Sequence, residues 1–284
     1  MSPTFHNSGA EVFVPDGQDP GTALARTTHL GIVAHADDLE LLAVEGILSC
    51  FGEEARWFTG VVVSDGAGSP RHKEYKKFTD GQMREVRRRE QKKAAYVGEY
   101  SACVLLDHPR TRILPAQGEE VVRDLAAIVE LTKPSVVYTH NLTDAHDTHV
   151  AVALRVIQAC RSVRPESRPQ RVIGGEVWRD LDWLCKDDKV SMNVDRRQNL
   201  QHALLGVFDS QITGGKRYDR AAMGRRAAHA TYAETHATDN SEGIVYGVDM
   251  TPLIVDSSLD PGKYAQDLIR NFEAEVLLRI QRLG

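Results

Sequence analysis

The sequence lacks the closely spaced cysteines that mark several protein classes. Its 284 residues include four cysteines, all far apart, and no C-x-x-C pair occurs. The sequence therefore predicts neither a cysteine-ligated zinc site nor a disulfide framework. Each cysteine has apolar neighbours, so we expect all four to be buried thiols.

Long hydrophobic runs and an excess of positive charge are also missing. No apolar run approaches the roughly 20 residues that a membrane helix needs, and residues 1–26 show no signal peptide. The net charge is -5 and the isoelectric point is about 6.1. These values favour neither nucleic acid nor a membrane as a partner, and the cytoplasm is the expected location.

One stretch departs from this balance, because ten lysines and arginines lie between Arg71 and Lys93. A phosphate or nucleic-acid contact is one interpretation. Acidic residues interrupt the run, however, and the spacing of Glu85 and Arg89 permits an ion pair on one helical face. We therefore favour a solvated helix.

A glycine-rich dinucleotide motif is absent as well. No G-x-G-x-x-G follows the first apolar run, and no helix follows Gly66-Ala67-Gly68 at the required spacing. A dehydrogenase is therefore disfavoured.

Short apolar runs alternate with helical periodicity through the first half of the chain. This alternation predicts βαβ units and a three-layer, Rossmann-like α/β fold, with a mostly parallel sheet covered by helices on both faces. We expect an irregular arm at residues 1–26 and a single α/β domain at 27–284. The predicted strands are Leu30–Ala34, Trp57–Val63, Cys103–Leu106 and Val136–Thr139.

The second half carries weaker patterns. Strands are predicted at Val172–Val177 and Val190–Val194, and helices at Arg196–Phe208 and Lys263–Leu283. In the last helix an apolar residue recurs every four positions, which predicts a stripe packed on the core. The stripe comprises Tyr264, Leu268, Phe272, Val276 and Ile280.

Two polar clusters follow the first and fourth predicted strands. His35 and Asp38 lie at a strand-to-helix turn, and His146 and His149 are three residues apart at the start of a helix. In the doubly wound order 3-2-1-4-5 these strands are neighbours, so both clusters would face one crevice. Three nitrogen or oxygen ligands with an open fourth position are typical of catalytic zinc. Either cluster alone is better explained by a helix cap and a polar histidine, but the two together at adjacent strand ends favour a functional site.

Four segments resemble the PIG-L (LmbE-like) family of zinc-dependent N-acetylglucosamine deacetylases. Residues 35–40, HADDLE, resemble the family's AHPDD-x-E signature, and residues 61–69, VVVSDGAGS, resemble its strand and TDGEAGS loop. Residues 139–153, THNLTDAHDTHVAVA, resemble its ND-x-HPDH segment. Asp209-Ser210-Gln211 resembles a late SQ signature.

The resemblance implies an LmbE-like fold and assigns roles to individual residues. It implies that His35, Asp38 and His149 bind one Zn²⁺ per chain. Asp37 matches the general base, and His146 matches a histidine that assists the transition state. The residues expected near the substrate are Ser64, Asp65, Gly66, Arg87 and Asp144.

The chain also departs from the family pattern. Ala36 replaces a proline, and Asp147-Thr148 stands where the family has Pro-Asp. If that aspartate orients a histidine, its role is either missing here or has moved to Asp147 or Asp144. The stretch after the first motif, residues 41–45, has no glycine.

The expected function is hydrolytic deacetylation of an N-acetylglucosaminyl group, and the expected substrate is a small-molecule glycosylated natural product such as a glycopeptide antibiotic. Alternatives within the family are a thiol–glucosamine deacetylase and an amidase. An alternative of another class is a non-catalytic α/β protein that binds a sugar or nucleotide. Iron or cobalt would suit the same ligands. The oligomeric state is left open.

Overall fold

The computed structural model of the protein describes residues 4–116 and 118–284. Its centre is a mixed sheet with the strand order β1-β4-β3-β2-β5-β6-β8-β7. The strands are β1 Glu11–Phe13, β2 His29–Val33, β3 Phe58–Ser64, β4 Ala102–His108, β5 Val136–His140, β6 Arg171–Gly175, β7 Val190–Asn193 and β8 Ile244–Asp249.

The five central strands confirm the predicted topology. Strands β4, β3, β2, β5 and β6 are parallel, and in chain order they follow the doubly wound arrangement 3-2-1-4-5. β1 pairs antiparallel with β4 at one edge, and β8 and β7 extend the other edge antiparallel. The carboxyl ends of β2 and β5 therefore meet at the switch point of the sheet.

Helices cover both faces of this sheet, which confirms the three-layer α/β class. Within the described residues the α-helices are α1 Pro20–Ala25, α2 Asp38–Leu42, α3 Val44–Cys50, α4 Asp80–Val97, α5 Arg110–Ile113, α6 Glu119–Thr132, α7 Asp147–Ser162, α8 Gln198–Gly206, α9 Asp209–Ile212, α10 Tyr218–Tyr232, α11 Thr251–Val255 and α12 Pro261–Leu283. No described helix is both long and apolar enough to cross a bilayer.

The apolar side chains form two cores, one on each face of the sheet. Helices α1, α6, α7 and α11 contribute to one core, and α2, α3, α4 and α8 contribute to the other. The strands reach both cores because successive side chains point to opposite faces. On β2, for example, Ile32 enters one core and Val33 the other.

Two paired glycines let α2 approach the sheet closely. Gly31 of β2 lies opposite Gly60 of β3, and the side chain of Leu39 covers both. A Cβ atom at either glycine would come within 2.6 Å of a Leu39 methyl carbon. This close packing fixes the start of α2 against the end of β2.

The arm prediction is wrong for two segments of residues 1–26. Residues 11–13 form β1, and residues 20–25 form α1, which begins at an Asp19 cap with Pro20 in its first turn. The arm is held by side-chain contacts, including His6 Nδ1 to Asp124 at 2.7 Å. These long-range contacts leave no local pattern in the sequence.

The end of the chain also differs from expectation. The helix α12 exists, but only Leu268 of its apolar stripe is buried, and Ile280 is 61% exposed. The helix extends beyond the core after Leu268. Cys185 is only half-buried, whereas the other three cysteines are buried. The strand β8 and the helix α10 were not predicted.

Candidate active site

The two polar clusters meet at the switch point. His35 and Asp38 follow β2, and His149 lies in the first turn of α7, after the loop that leaves β5. Asp38 Oδ2 accepts a hydrogen bond from the His35 backbone N–H at 2.8 Å, which closes the turn between β2 and α2. The predicted convergence of residues more than 100 positions apart is thereby observed.

Three donor atoms form a compact triangle in the crevice. His35 Nδ1 lies 3.1 Å from His149 Nε2 and 3.2 Å from Asp38 Oδ2, and the last two atoms are 3.4 Å apart. Burial opposes ionisation of Asp38, yet the nearby histidines, His149 first, hold its pKa well below the usual range. A buried carboxylate among imidazole nitrogens could hold a metal ion.

His140 is a competing member of the triangle. Its Nε2 is 3.4 Å from Asp38 Oδ2, and its ring stacks on His149 at 3.9 Å between centroids. That nitrogen already accepts the backbone N–H of Ala34 at 2.9 Å. Burial, and then the neighbouring His149, lower the pKa of His140 to about 4, so the ring is neutral. The Nε2 lone pair of His140 therefore accepts the backbone hydrogen bond at the end of β2 and is not free to bind a metal ion.

Asp144 supports His149 from behind. Its Oδ1 lies 3.4 Å from His149 Nδ1 and also accepts the His146 backbone N–H at 2.9 Å. The side chain is fully buried, whereas that of Asp147 is 81% exposed. Because Nδ1 faces a carboxylate, Nε2 carries the lone pair that points into the triangle. Asp144 thus lies behind the histidine and outside the cavity wall.

Asp37 occupies the turn before α2 in a left-handed conformation, with φ at 85°. Its backbone N–H donates to Gln91 Oε1 at 3.1 Å, and its Oδ1 lies 3.2 Å from Arg87. Its Oδ2 has no hydrogen-bond partner within the described chain. Burial raises the pKa of Asp37 to about 8, against the opposing effect of Arg87. A group whose pKa lies near neutrality can give or take a proton during a reaction.

Arg87 is held in a buried network and presents little surface to the cavity. Its guanidinium donates to the Ala36 carbonyl and to Ser210 Oγ at 3.2 Å, and it lies 3.3 Å from Glu90. Glu90 in turn accepts the backbone N–H and the hydroxyl of Ser210, both at 2.6 Å. The late Ser-Gln segment is thus tied through α4 to Asp37.

His146 caps α7 and faces the cavity. Its Nδ1 accepts the Thr148 backbone N–H at 3.2 Å, so a neutral ring carries its proton on Nε2. Burial, and then the neighbouring His149, lower the pKa of His146. Its ring centroid is 4.6 Å from that of His149. His146 can therefore donate a hydrogen bond beside the triangle without being charged.

A cavity of about 500 Å³ opens over the triangle. The predicted residues Ser64, Asp65, Gly66 and Arg87 line it, together with His35, Asp37, Asp38 and His146. Ser64 Oγ and Gln211 Nε2 join Asp37 Oδ2 as buried polar atoms without a hydrogen-bond partner in residues 4–116 and 118–284. Unsatisfied buried groups around one cavity indicate a polar ligand.

The side of the cavity that faces the histidines was not predicted from the sequence. Trp178, Tyr218 and Arg110 line the cavity, and Trp178 stacks near His146 with 6.4 Å between ring centroids. Burial, and then the charges of Asp37 and Asp38, raise the pKa of Tyr218. These residues lie in separate parts of the chain, and none belongs to a local motif. The one sequence signal for this side of the cavity was the Ser210-Gln211 segment, which lies shortly before Tyr218 in the chain.

Part of the chain matches a known protein family. Residues 30–160 match the family described as PIG-L, GlcNAc-PI de-N-acetylase, which confirms the predicted resemblance. No curated protein matches the sequence.

Solved structures with the same fold carry different activities in their names. The 4-carboxy-2-hydroxymuconate hydratase from Pseudomonas putida aligns with a TM-score of 0.62 at 16% identity, over 80% of this chain and 97% of its own. The N,N'-diacetylchitobiose deacetylase from Pyrococcus horikoshii gives 0.61 at 14% identity, over 78% and 83%. A deacetylase of teicoplanin biosynthesis gives 0.54 at 16% identity, over 79% and 99%. At these identities the likeness establishes the fold.

Proposed function

Because residues 30–160 match the PIG-L family, we propose that this chain is a zinc-dependent hydrolase that removes the acetyl group from an N-acetylglucosaminyl unit. The substrate is proposed to be a small glycosylated natural product, such as a glycopeptide antibiotic. The observation that carries the proposal is the triangle of His35, Asp38 and His149 beside the unpartnered carboxylate oxygen of Asp37.

The spacing of the triangle suits zinc. Tetrahedral zinc with bonds of about 2.0–2.2 Å separates its ligand atoms by about 3.3–3.6 Å. The observed separations are 3.1–3.4 Å. His35, Asp38 and His149 would hold the ion and leave a position open toward the cavity. When bound, zinc would polarise the amide carbonyl and lower the pKa of water.

The protein's own residues would then move the protons. Asp37 accepts a proton from the water whose oxygen attacks the amide carbon, and Arg87 keeps the Asp37 carboxylate in place. His146 donates from Nε2 to the oxygen that gains negative charge, an interaction worth roughly 3–4 kcal/mol. When the C–N bond breaks, Asp37 returns the proton to the leaving amine. The products are acetate and a free amino sugar.

The name of the hydratase neighbour shows that this fold also accompanies water addition to a carbon–carbon double bond. Fold alone therefore does not select deacetylation. The PIG-L match and the resemblance of the motifs favour amide hydrolysis, and the test must include both chemistries.

The deciding experiment pairs metal analysis with product analysis. We expect about one zinc per chain, and amine release from an N-acetylglucosamine conjugate that chelation abolishes and zinc restores. Zinc with cleavage of larger amides alone would favour the amidase. Zinc with hydration of an unsaturated acid, and no amine release, would overturn deacetylation. Failure to bind metal under any loading condition would favour the non-catalytic binding protein.

A further inference from the structure

A second cavity of about 170 Å³ adjoins the candidate active site. Trp178 and Tyr218 line both cavities and so form the partition between them. Their rings are 6.2 Å apart at an interplanar angle of 84°. The ring centroid of Trp178 is 6.4 Å from that of His146, so the second cavity lies close to the residues proposed to act on the amide.

The walls of the second cavity are mainly apolar. Side chains on α2 and α10 and around β8 provide them: Leu41, Val177, Ala221, Ala222 and Val245. Mainly apolar walls disfavour a bound sugar or phosphate and favour a hydrocarbon group.

The charged residues at the cavity, Glu176, Arg225 and Arg226, have partners elsewhere. Glu176 binds His229 Nε2 at 2.8 Å and accepts the Leu181 backbone N–H at 3.0 Å. Arg226 donates to the Glu40 carbonyl at 2.7 Å, and Arg225 donates to the Val177 carbonyl at 2.7 Å. Their charged ends are therefore directed into the protein framework.

We propose that this second cavity is an apolar subsite for a hydrocarbon group carried by the substrate. The inference rests on the proposed deacetylase function and specifies its substrate further. Cavities of about 150 Å³ lined by apolar side chains bind benzene, so the group is about as large as a phenyl ring. It is attached either to the amide carbonyl, as part of the acyl group, or to the sugar, as an aglycone.

Two substrate series distinguish these attachments. The first keeps an acetyl group and changes the aglycone of N-acetylglucosamine from methyl to phenyl. The second keeps a methyl aglycone and changes the acyl group from acetyl to benzoyl. We expect kcat/KM to rise about tenfold or more in one series, because a filled apolar pocket strengthens binding. A change below about twofold in both series would overturn the subsite.

Two variants on α10 locate the effect. Ala222→Phe fills the second cavity, and the ratio of kcat/KM between the phenyl-containing and the minimal substrate should fall toward one. Ala227→Phe adds the same ring at an exposed position of the same helix and should leave the ratio unchanged. If Ala222→Phe preserves the ratio, or if Ala227→Phe abolishes it, the hydrocarbon group binds elsewhere.

Equilibrium binding separates failure of the subsite from failure of the proposed activity. Calorimetry with the zinc-loaded protein compares the phenyl and methyl glucosaminides without requiring turnover. Tighter binding of the phenyl compound that Ala222→Phe removes, without amine release, would support the subsite and reject the deacetylase. Amine release without any phenyl preference in binding or turnover would do the reverse.

Discussion

The two walls of the candidate active site differ in how firmly the chain holds them. One wall, the metal side, carries the His35–Asp38–His149 triangle proposed to bind zinc. There Asp37, Asp38 and His149 are each at most 5% exposed. On the facing wall Trp178 is 43% exposed, and the Arg110 side chain is 61% exposed. A buried polar group without partners costs free energy, so the metal side needs many hydrogen bonds to hold one arrangement. The facing wall is more exposed, so this constraint applies to it less strongly.

This comparison separates chemistry from specificity. The residues proposed to act on the amide come from the β2 and β5 ends, where the sheet fixes their positions. The residues that would meet the rest of the substrate come from the loop after β6 and from α10. Substitutions on the metal side should therefore affect metal binding and kcat, whereas substitutions on the facing wall should change substrate preference.

The largest effect is expected for His149→Ala. Removing one nitrogen from the triangle should abolish stoichiometric zinc binding and lower kcat/KM by at least about 10³-fold. Metal analysis and amine release on the same preparation measure both effects. A variant that still bound one zinc per chain would remove His149 from the ligand set, although His149 belongs to both donor groups found among the described residues.

Asp37→Asn should separate catalysis from metal binding. The amide keeps the shape of the carboxylate but cannot accept the proton, so kcat should fall by about 10²–10⁴-fold while zinc content is unchanged. Steady-state kinetics on the zinc-loaded variant provide the measurement. Near-normal turnover would show that another group is the base.

A matched pair of acids tests which carboxylate supports His149. Asp144→Asn removes the buried charge behind the ring and should weaken zinc binding by about 10–100-fold. Asp147→Asn changes an exposed carboxylate that pairs with Arg110 at 3.5 Å, and should change zinc affinity less than about twofold. Competition with a chelator of known affinity measures both variants. Equal effects would mean that the burial of Asp144 does not matter.

The smallest effect concerns the stability of the firmly held wall. Glu40 accepts hydrogen bonds from Tyr100 at 2.7 Å and from Gln91 at 2.9 Å, and Gln91 in turn binds the Asp37 backbone. Burial raises the pKa of Glu40 to about 7, despite these two bonds.

The sign of the resulting pH dependence follows from proton binding. Between the unfolded pKa of 4.5 and the folded value of about 7, the folded chain binds more protons at Glu40 than the unfolded chain does. Its contribution to stability therefore falls as pH rises through this window, by at most about 1.4 kcal/mol per pH unit. Glu40→Gln removes this dependence. Urea unfolding should show the variant gaining on the original chain between about pH 5 and about pH 7. A pH-independent difference would contradict the assignment.

The sequence predicted the central fold because its periodicity is local. Runs such as residues 30–34 and 136–139 are apolar over a few consecutive residues, which is typical of buried strands. The crossover rules then limited the possible strand orders. The two polar clusters were predictable for the same reason, since His35 and Asp38 are close in sequence, as are His146 and His149. The rest of the fold depends on long-range pairing, as with β1 on β4.

The facing wall could not be predicted for a different reason. Trp178 and Tyr218 are 40 residues apart and have no fixed spacing from either histidine cluster. Their meeting depends on how α10 packs against β8, and that packing is set by tertiary contacts. The stripe on α12 shows the converse error. Its periodicity is real, but periodicity alone does not specify whether a partner surface is present.

The strand β1 has a consequence for self-association. β4 would otherwise be the edge of the parallel sheet, with a row of free backbone N–H and C=O groups that a second chain could pair with. Residues 11–13 occupy that edge, and Glu11 is tied to Arg88 at 2.8 Å. A chain shortened to begin at residue 15 would keep every residue of the candidate active site, yet it would present a strand edge prone to aggregation. We therefore expect β1, although it has only three residues, to reduce edge-to-edge association between copies of the chain.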